Sequence, residues 1–262
     1  MGHHYLVQPS QQKAWRAGRF WWDWQSAQTE PTPPQPLKKL SAVIFDLDAL
    51  ADVESAGHRP AFNAAFASLG LDIEWSVARY RQLQALTDER RRVAAELRKR
   101  GVSTECDVLA ELLVDEICMT KAMILDETIL DADIAVRPGM LDLITEAYGA
   151  GVGIGIVSTG NRAWVEPLVR QLIGEGIAGA VLTVDDAPRG ELYAAALAEL
   201  GAPAHDSLAF AGSPASQRTA TATGLASVLV EGDGAGGVPL RVADCQRAYD
   251  SWHETHRRPT AA

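Results

Sequence analysis

An α/β fold, with a parallel sheet at its centre and a helical subdomain inserted after the first strand, is what this 262-residue chain predicts. Three observations carry the prediction. Short apolar runs, each the length of a buried strand, alternate with amphipathic stretches. The runs are apolar on both faces, as in a sheet covered by helices on two sides. About a hundred residues of helical pattern without a clear strand separate the first run from the second.

Taken in order, residues 1–38 stand apart from the rest. No lysine- or arginine-led apolar stretch opens them, so they do not read as a secretory signal. Of seven tryptophans, four (Trp15, Trp21, Trp22, Trp24) crowd into this region, and Gln11 to Gln28 reads as a short helix with an aromatic face. Pro31, Pro33, Pro34 and Pro36 then remove donors and fix φ, which predicts a stiff extended linker. The body begins at residue 39 with the run Ala42–Phe45. Residues 53–136 form the insertion, with amphipathic helices predicted at Asn63–Leu69, Ala78–Leu86, Arg91–Arg100 and Val108–Leu125. The clustered cations Arg90–Arg92 and Arg98–Arg100 read as a solvated helix face balanced by Asp88, Glu89 and Glu96. Arg137-Pro138-Gly139 turns the chain back into a helix, Met140–Ala150. The runs Val152–Val157, Ala180–Val184, Leu208–Ala211 and Ser227–Val230 complete the sheet, and Val242–His256 reads as a final helix with Trp252 packed on it. The core is thus expected from 39–52 and 137–262.

Composition narrows the function. With 24 Lys+Arg against 34 Asp+Glu the formal net charge is −10, which argues against non-specific nucleic-acid binding, a process that needs clustered cations. No run of apolar residues is long enough for a membrane span. Cys106, Cys118 and Cys245 have neither zinc-site spacing nor an even count, consistent with a reducing cytoplasm. The tryptophan-rich stretch 11–28 suits an interface with a protein partner or sister subunit, where a large apolar body meets a polar rim. Packing on its own domain is the alternative.

Open parallel sheets bind ligands beyond the carboxyl ends of their strands. The residues there are Asp46/Asp48, Ser158/Thr159, Asp185/Asp186, Gly212/Ser213 and Glu231. Asp46 and Asp48, two apart, share a face if the strand continues through them. Such a pair can hold a divalent cation, or divide the work of nucleophile and proton shuttle; a solvated strand end is the plain alternative.

The stretch Val43–Phe66, VIFDLDALADVESAGHRPAFNAAF, resembles the opening of the haloacid dehalogenase superfamily, specifically its CbbY-like, β-phosphoglucomutase-like phosphatases. The resemblance extends through Trp75…Tyr80, Arg137-Pro138-Gly139, Ile156-Val157-Ser158-Thr159, Glu191-Leu192-Tyr193 and Gly224-Leu225. It implies a Rossmann-like core with an inserted C1-type helical cap, and a magnesium-dependent phosphatase of small phosphorylated sugars. It further implies Asp46 as the nucleophile forming an aspartyl-phosphate and as a metal ligand, and Asp48 as general acid/base and metal ligand. Ser158 and Thr159 would meet the phosphoryl group, and His58 would face the substrate from the cap. The family's acid three places before that histidine falls on Ser55, with Glu54 one place off.

Three departures accompany the match. Asp48 is followed by Ala49 where the family carries glycine, and alanine restricts that backbone. The third-motif lysine is missing; Arg189 is the nearby cation, with a planar fork in place of a point charge. The fourth motif, Glu-Asp-Ser or similar, reads Ala211-Gly212-Ser213 here, and no Asp or Glu lies between Ser207 and Val230. The expectation is a phosphatase fold with an incomplete active site, its magnesium site lost in part.

Overall fold

The computed structural model describes residues 40–230, apart from 87 and 103–105. The readings made above for residues 11–28, the proline linker and the final helix lie outside the described residues. Five parallel strands, β1 (Ala42–Asp46), β2 (Gly153–Val157), β3 (Ala180–Leu182), β4 (Ser207–Ala211) and β5 (Ala226–Leu229), form one sheet in the order β3-β2-β1-β4-β5. All five predicted runs are strands. The third is shorter than its apolar run, because Asp186 accepts hydrogen bonds from the Thr183 amide and hydroxyl and turns the chain out of the sheet.

Strand alternation distributes the core over two faces. Val43 and Phe45 of β1 point to one side, where α6 (Met140–Gly149) and α7 (Arg162–Ile173) bury Leu143, Ile144, Val165 and Leu168. Ile44 points to the other, where α8 (Leu192–Leu200) buries Leu192, Tyr193 and Ala196, and α9 (Pro214–Ala222) buries Ala220. This is the doubly covered sheet that runs apolar on both faces require. Phe45 and Phe210 stack across β1 and β4 at 4.9 Å, locking the strands that carry the site.

The insertion has its own apolar cluster. A π-helical turn (Glu54–His58) runs into α2 (Arg59–Ser68), followed by α3 (Val77–Gln84), α4 (Glu89–Arg100) and α5 (Asp107–Thr128). Phe62, Phe66, Trp75 and Tyr80 pack together, with Phe62–Trp75 and Phe66–Trp75 ring centroids 4.8 and 4.9 Å apart. The two ends of the insertion meet in an antiparallel bridge, Ala51 to Val136. Beside it the Arg137 amide donates to the Leu50 carbonyl at 2.8 Å. Gly139, at φ 82°, serves as N-cap of α6, a conformation that explains glycine in the Arg-Pro-Gly turn. No helix among the described residues is long and apolar enough to cross a membrane.

Candidate functional site

The strand β1 ends at Asp46, and Leu47–Leu50 then closes a single helical turn, α1. Asp46 and Asp48 are therefore not successive same-face positions of one strand, as their spacing suggested. They converge for a different reason. Asp46 caps α1, its Oδ1 accepting from the Asp48 amide at 3.3 Å, and both side chains line one pocket of about 410 Å³, open solvent included. Ala49 is accommodated in α1 without a left-handed backbone, since no described non-glycine residue has positive φ.

The same pocket is lined by Ser158 and Thr159 beyond β2, by Arg189, by Leu192 and Tyr193 of α8, and by Ser213, Ser216 and Thr219 around α9. The expected phosphate-facing residues Ser158, Thr159 and Arg189 thus meet Asp46 in one place. Ser158 Oγ accepts from the Gly160 amide at 3.1 Å, which leaves its hydroxyl proton available to an acceptor in the pocket.

Asp46 is held on several sides. Its Oδ2 accepts from the Gly212 amide at 3.3 Å, and Ser216 contributes a side-chain hydrogen bond. Ser216 in turn lies 2.8 Å from the Tyr193 hydroxyl. Burial pushes the Asp46 carboxyl above its ordinary range, while Ser216, the two amides and the charge of Arg189 pull against it. Asp48 is pushed up much further, first by burial and then by the charges of Glu54 and Asp46, with Arg137 opposing. A carboxyl whose pKa is raised holds its proton to higher pH, the direction a proton donor to a leaving group requires. Arg137 also donates from Nε to the Asp48 carbonyl at 3.0 Å.

Glu54 and His58 do not line that pocket; they stand on the π-helical turn of the insertion. The turn is closed by the Arg59 amide donating to the Glu54 carbonyl, an i→i+5 bond. A turn this wide sets residues four apart on one side, while the acid against the His58 ring is Glu89, with Oε1 3.4 Å from Nδ1. Burial works against the Glu54 charge, but His58, then Arg92 and a short hydrogen bond from the Tyr80 hydroxyl, hold its carboxyl below the usual range. Arg92 is itself buried: Nε donates to the Leu86 carbonyl at 2.7 Å, and Nη1 lies 3.5 Å from Glu54. Glu96, 1% exposed, pairs with Arg79 at 2.7 Å and Arg100 at 3.0 Å. The expectation of a uniformly solvated charged face therefore fails for Arg92 and Glu96. They lie on the inward face of α4 with Val93 and Leu97, and each is buried with a partner.

The structure adds Lys121, which the sequence reading passed over. It is buried on α5, with Nζ 2.7 Å from His58 Nδ1 and 2.7 Å from Glu89 Oε1. Its signal was legible: Val114, Ile117, Lys121 and Leu125 form the buried stripe of α5, and a lysine on an apolar stripe needs an explanation.

The residues present do not fit a three-carboxylate magnesium site. No group of three His, Cys, Asp or Glu among the described residues is placed to hold a metal. Gly212 stands where the fourth motif places an acid, and a Cβ there would lie 2.6 Å from the Asp48 carbonyl carbon and 2.7 Å from the Ala49 nitrogen. The space a carboxylate stem would need is filled by backbone. Asp185 and Asp186 do not replace it. They follow β3, two strands from β1, and receive the Arg162 amide and guanidinium.

The family model for haloacid dehalogenase-like hydrolases matches residues 40–213. The chain is 32% identical over 201 residues to Protein CbbY of Cereibacter sphaeroides, covering 74% of this chain and 85% of that one. It is 33% identical over 214 residues to Protein CbbY of Rhodobacter capsulatus, covering 79% and 92%. Among solved structures it is similar to a mutant of CbbY from Rhodobacter sphaeroides in complex with xylulose-(1,5)bisphosphate. That similarity has a TM-score of 0.58 and 29% identity, over 78% of this chain and 96% of the other.

Proposed function

Since the chain belongs to the haloacid dehalogenase-like hydrolases, in their CbbY-like subfamily, we propose that its pocket binds a small phosphorylated sugar and that its catalytic turnover is impaired. The reaction by descent is dephosphorylation. An Asp46 oxygen attacks phosphorus, Asp48 gives its proton to the departing sugar oxygen, and Asp48 then takes a proton from the water that cleaves the aspartyl-phosphate to inorganic phosphate. Ser158, Thr159 and Arg189 orient the phosphoryl group.

The observation that carries the impairment is the packing at Gly212, where the Asp48–Ala49 backbone leaves no room for a side chain. Phosphoryl transfer depends on positioning and on charge stabilisation, and one lost preorganised donor typically costs about 10²–10³ in rate. Loss of the motif-three lysine and the motif-four acid together places turnover on the order of 10⁴ below a complete site, the two losses not adding simply.

The test is magnesium-dependent hydrolysis of an aryl phosphate, run beside Protein CbbY of Rhodobacter capsulatus, with melting curves in xylulose-1,5-bisphosphate. The expected result is turnover on the order of 10⁴ lower than that relative's, abolished in Asp46→Asn, with a ligand-dependent rise in melting temperature. Turnover equal to the relative's sinks the impairment; a flat melting temperature sinks the binding.

A second reading rests on Trp15, Trp21, Trp22 and Trp24: residues 11–28 dock a protein partner or a sister subunit, as exposed aromatic clusters do. Deleting residues 1–38 is then expected to abolish a complex or oligomer while leaving the melting transition in place. An unchanged assembly state with an unchanged partner profile excludes it.

A further inference from the structure

We infer that the outward face of α5 is the docking site for residues 11–28, whose tryptophans cover its exposed apolar stripe. The inference takes from the second reading above the docking role of that segment, and adds the surface.

The helix α5 is apolar on two opposite sides. Val114, Ile117, Lys121 and Leu125 form its buried stripe. At about 100° per residue, Val108, Leu112, Met119 and Met123 fall within roughly 60° of arc on the other side. These four, with Leu109 beside them, are between 41% and 67% exposed. Five of the nine exposed large hydrophobic side chains among the described residues thus sit on one helix. Scattered exposed apolar residues need no explanation, but a continuous stripe marks a contact surface. At 1.5 Å per residue the stripe is about 23 Å long.

Charge decides what covers it. Glu111, Glu116 and Glu127 are exposed along its flanks, and the sole cation of α5, Lys121, is buried on the opposite side. The same face of a second copy would bring like charges together. Residues 11–28 have the complementary make-up. Trp15, Phe20, Trp21, Trp22 and Trp24 supply apolar bodies, and Lys13, Arg16 and Arg19 stand against Asp23 alone. Aromatic rings on methionine sulfur are a favourable contact in their own right. Reach is sufficient, because residues 29–39 separate the segment from Leu40, just before β1. Extended, that stretch spans at most about 36–40 Å, against a rise of about 17 Å for β1. The tether sets the effective concentration at which the segment meets this face, on its own chain or on a sister chain.

The four methionines are Met1, Met119, Met123 and Met140, so full-length protein labelled with ¹³C-methyl methionine reads the face directly. Met119→Leu and Met123→Leu assign the two signals. Both methyls are expected to be shifted by ring currents and to show nuclear Overhauser contacts to indole protons. Both features should vanish in full-length protein combining Trp15→Ser, Trp21→Ser, Trp22→Ser and Trp24→Ser. If that variant fails to fold, Lys13→Glu, Arg16→Glu and Arg19→Glu combined, which keep the tryptophans, should show the same loss. Solvent-exposed methyls in the wild type overturn the inference, as do indole contacts that survive the substitutions. Methyl contacts between copies without indole contacts overturn it in favour of α5 pairing. Light scattering separates the surface from the second reading. A dimer lost together with the methyl–indole contacts supports both. A monomer that keeps those contacts supports docking on the chain's own face and overturns the second reading. Exposed methyls in an assembly that still depends on the tryptophans overturn the inference and leave the second reading standing.

Discussion

Replacing Gly212 by aspartate restores the residue type that the family's fourth motif carries, and the geometry predicts a loss. A Cβ at this position lies 2.6 Å from both the carbonyl carbon and the Cβ of Asp48, and 2.7 Å from the Ala49 nitrogen. Carbon atoms in contact normally stand about 3.5–4.0 Å apart, so the overlap is on the order of 1 Å. The colliding atoms are mostly main chain at the junction of β1 and α1, and no rotamer change relieves them. Relief means moving α1, which carries the Asp48 amide that holds Asp46. Overpacking of this kind costs about 1–3 kcal/mol, and an unpaired carboxylate beside Asp46 and Asp48 raises the figure. At about 2–4 °C per kcal/mol for a chain of this size, Gly212→Asp should melt roughly 4–10 °C below wild type. Gly212→Ala separates the steric part from the charge and should fall by a smaller amount. Melting curves and magnesium-dependent aryl phosphate hydrolysis, measured on all three proteins, decide it. If Gly212→Asp melts at or above wild type and gains magnesium-dependent turnover, the loop yields, the pocket accepts the metal, and the steric reasoning is refuted.

Three further outcomes are expected. Glu96 sits below its ordinary pKa of 4.5 because its bonds to Arg100 and Arg79 outweigh burial. Its contribution is therefore complete above that value and lost as pH falls below it. Glu96→Gln should cost about 1.5–3 kcal/mol at pH 7, as loss of hydrogen bonds to charged groups does, and the gap to wild type in urea titrations should close toward pH 3; a gap independent of pH contradicts the assignment. Gly57 of the π-helical turn faces Ile129, which is fully buried, so Gly57→Ala should destabilise by about 1–3 kcal/mol, and an unchanged melting temperature would show that the turn has slack. Arg189→Gln should weaken xylulose-1,5-bisphosphate binding by about tenfold or more, as loss of a charged donor does, with Arg189→Lys intermediate; equal melting shifts in all three proteins would remove Arg189 from the site.

The sheet, the insertion and the first carboxylates were legible because each rests on local pattern. Strands apolar on both faces, helices of period 3.6 and the Asp46-x-Asp48 spacing need no knowledge of distant residues. What failed depended on partners far along the chain. Arg92 reads as solvated until Glu54, 38 positions earlier, is seen beside it. Lys121 acquires its meaning from His58, 63 positions away. The Asp46/Asp48 convergence was reached for the wrong local reason, since a helical turn, not strand continuation, brings them together. Gly212 is the case between: the missing acid was visible in sequence, but only packing shows that backbone has filled its place.

On the reading proposed above, binding and chemistry are separable in this pocket, and the groups that line it serve the first. Each Asp46 oxygen accepts one amide at 3.3 Å, which fixes the carboxylate plane and still leaves lone pairs toward the cavity. Ser158 keeps a free hydroxyl proton, and Arg189 brings the cation. On that reading those groups act equally on a bound phosphate and on its transition state, which lowers Kd without lowering the barrier. The missing lysine and acid belong to the other class, because charge that develops as the phosphoryl group transfers is what they stabilise. The expected kinetic signature is therefore a normal KM with a depressed kcat. Pre-steady-state mixing with an aryl phosphate should release phenol in the first turnover at the same slow rate as later ones, since attack by Asp46 is the step left unassisted. A fast burst followed by slow turnover would move the defect to hydrolysis of the aspartyl-phosphate, and hence to Asp48 and its neighbour Glu54.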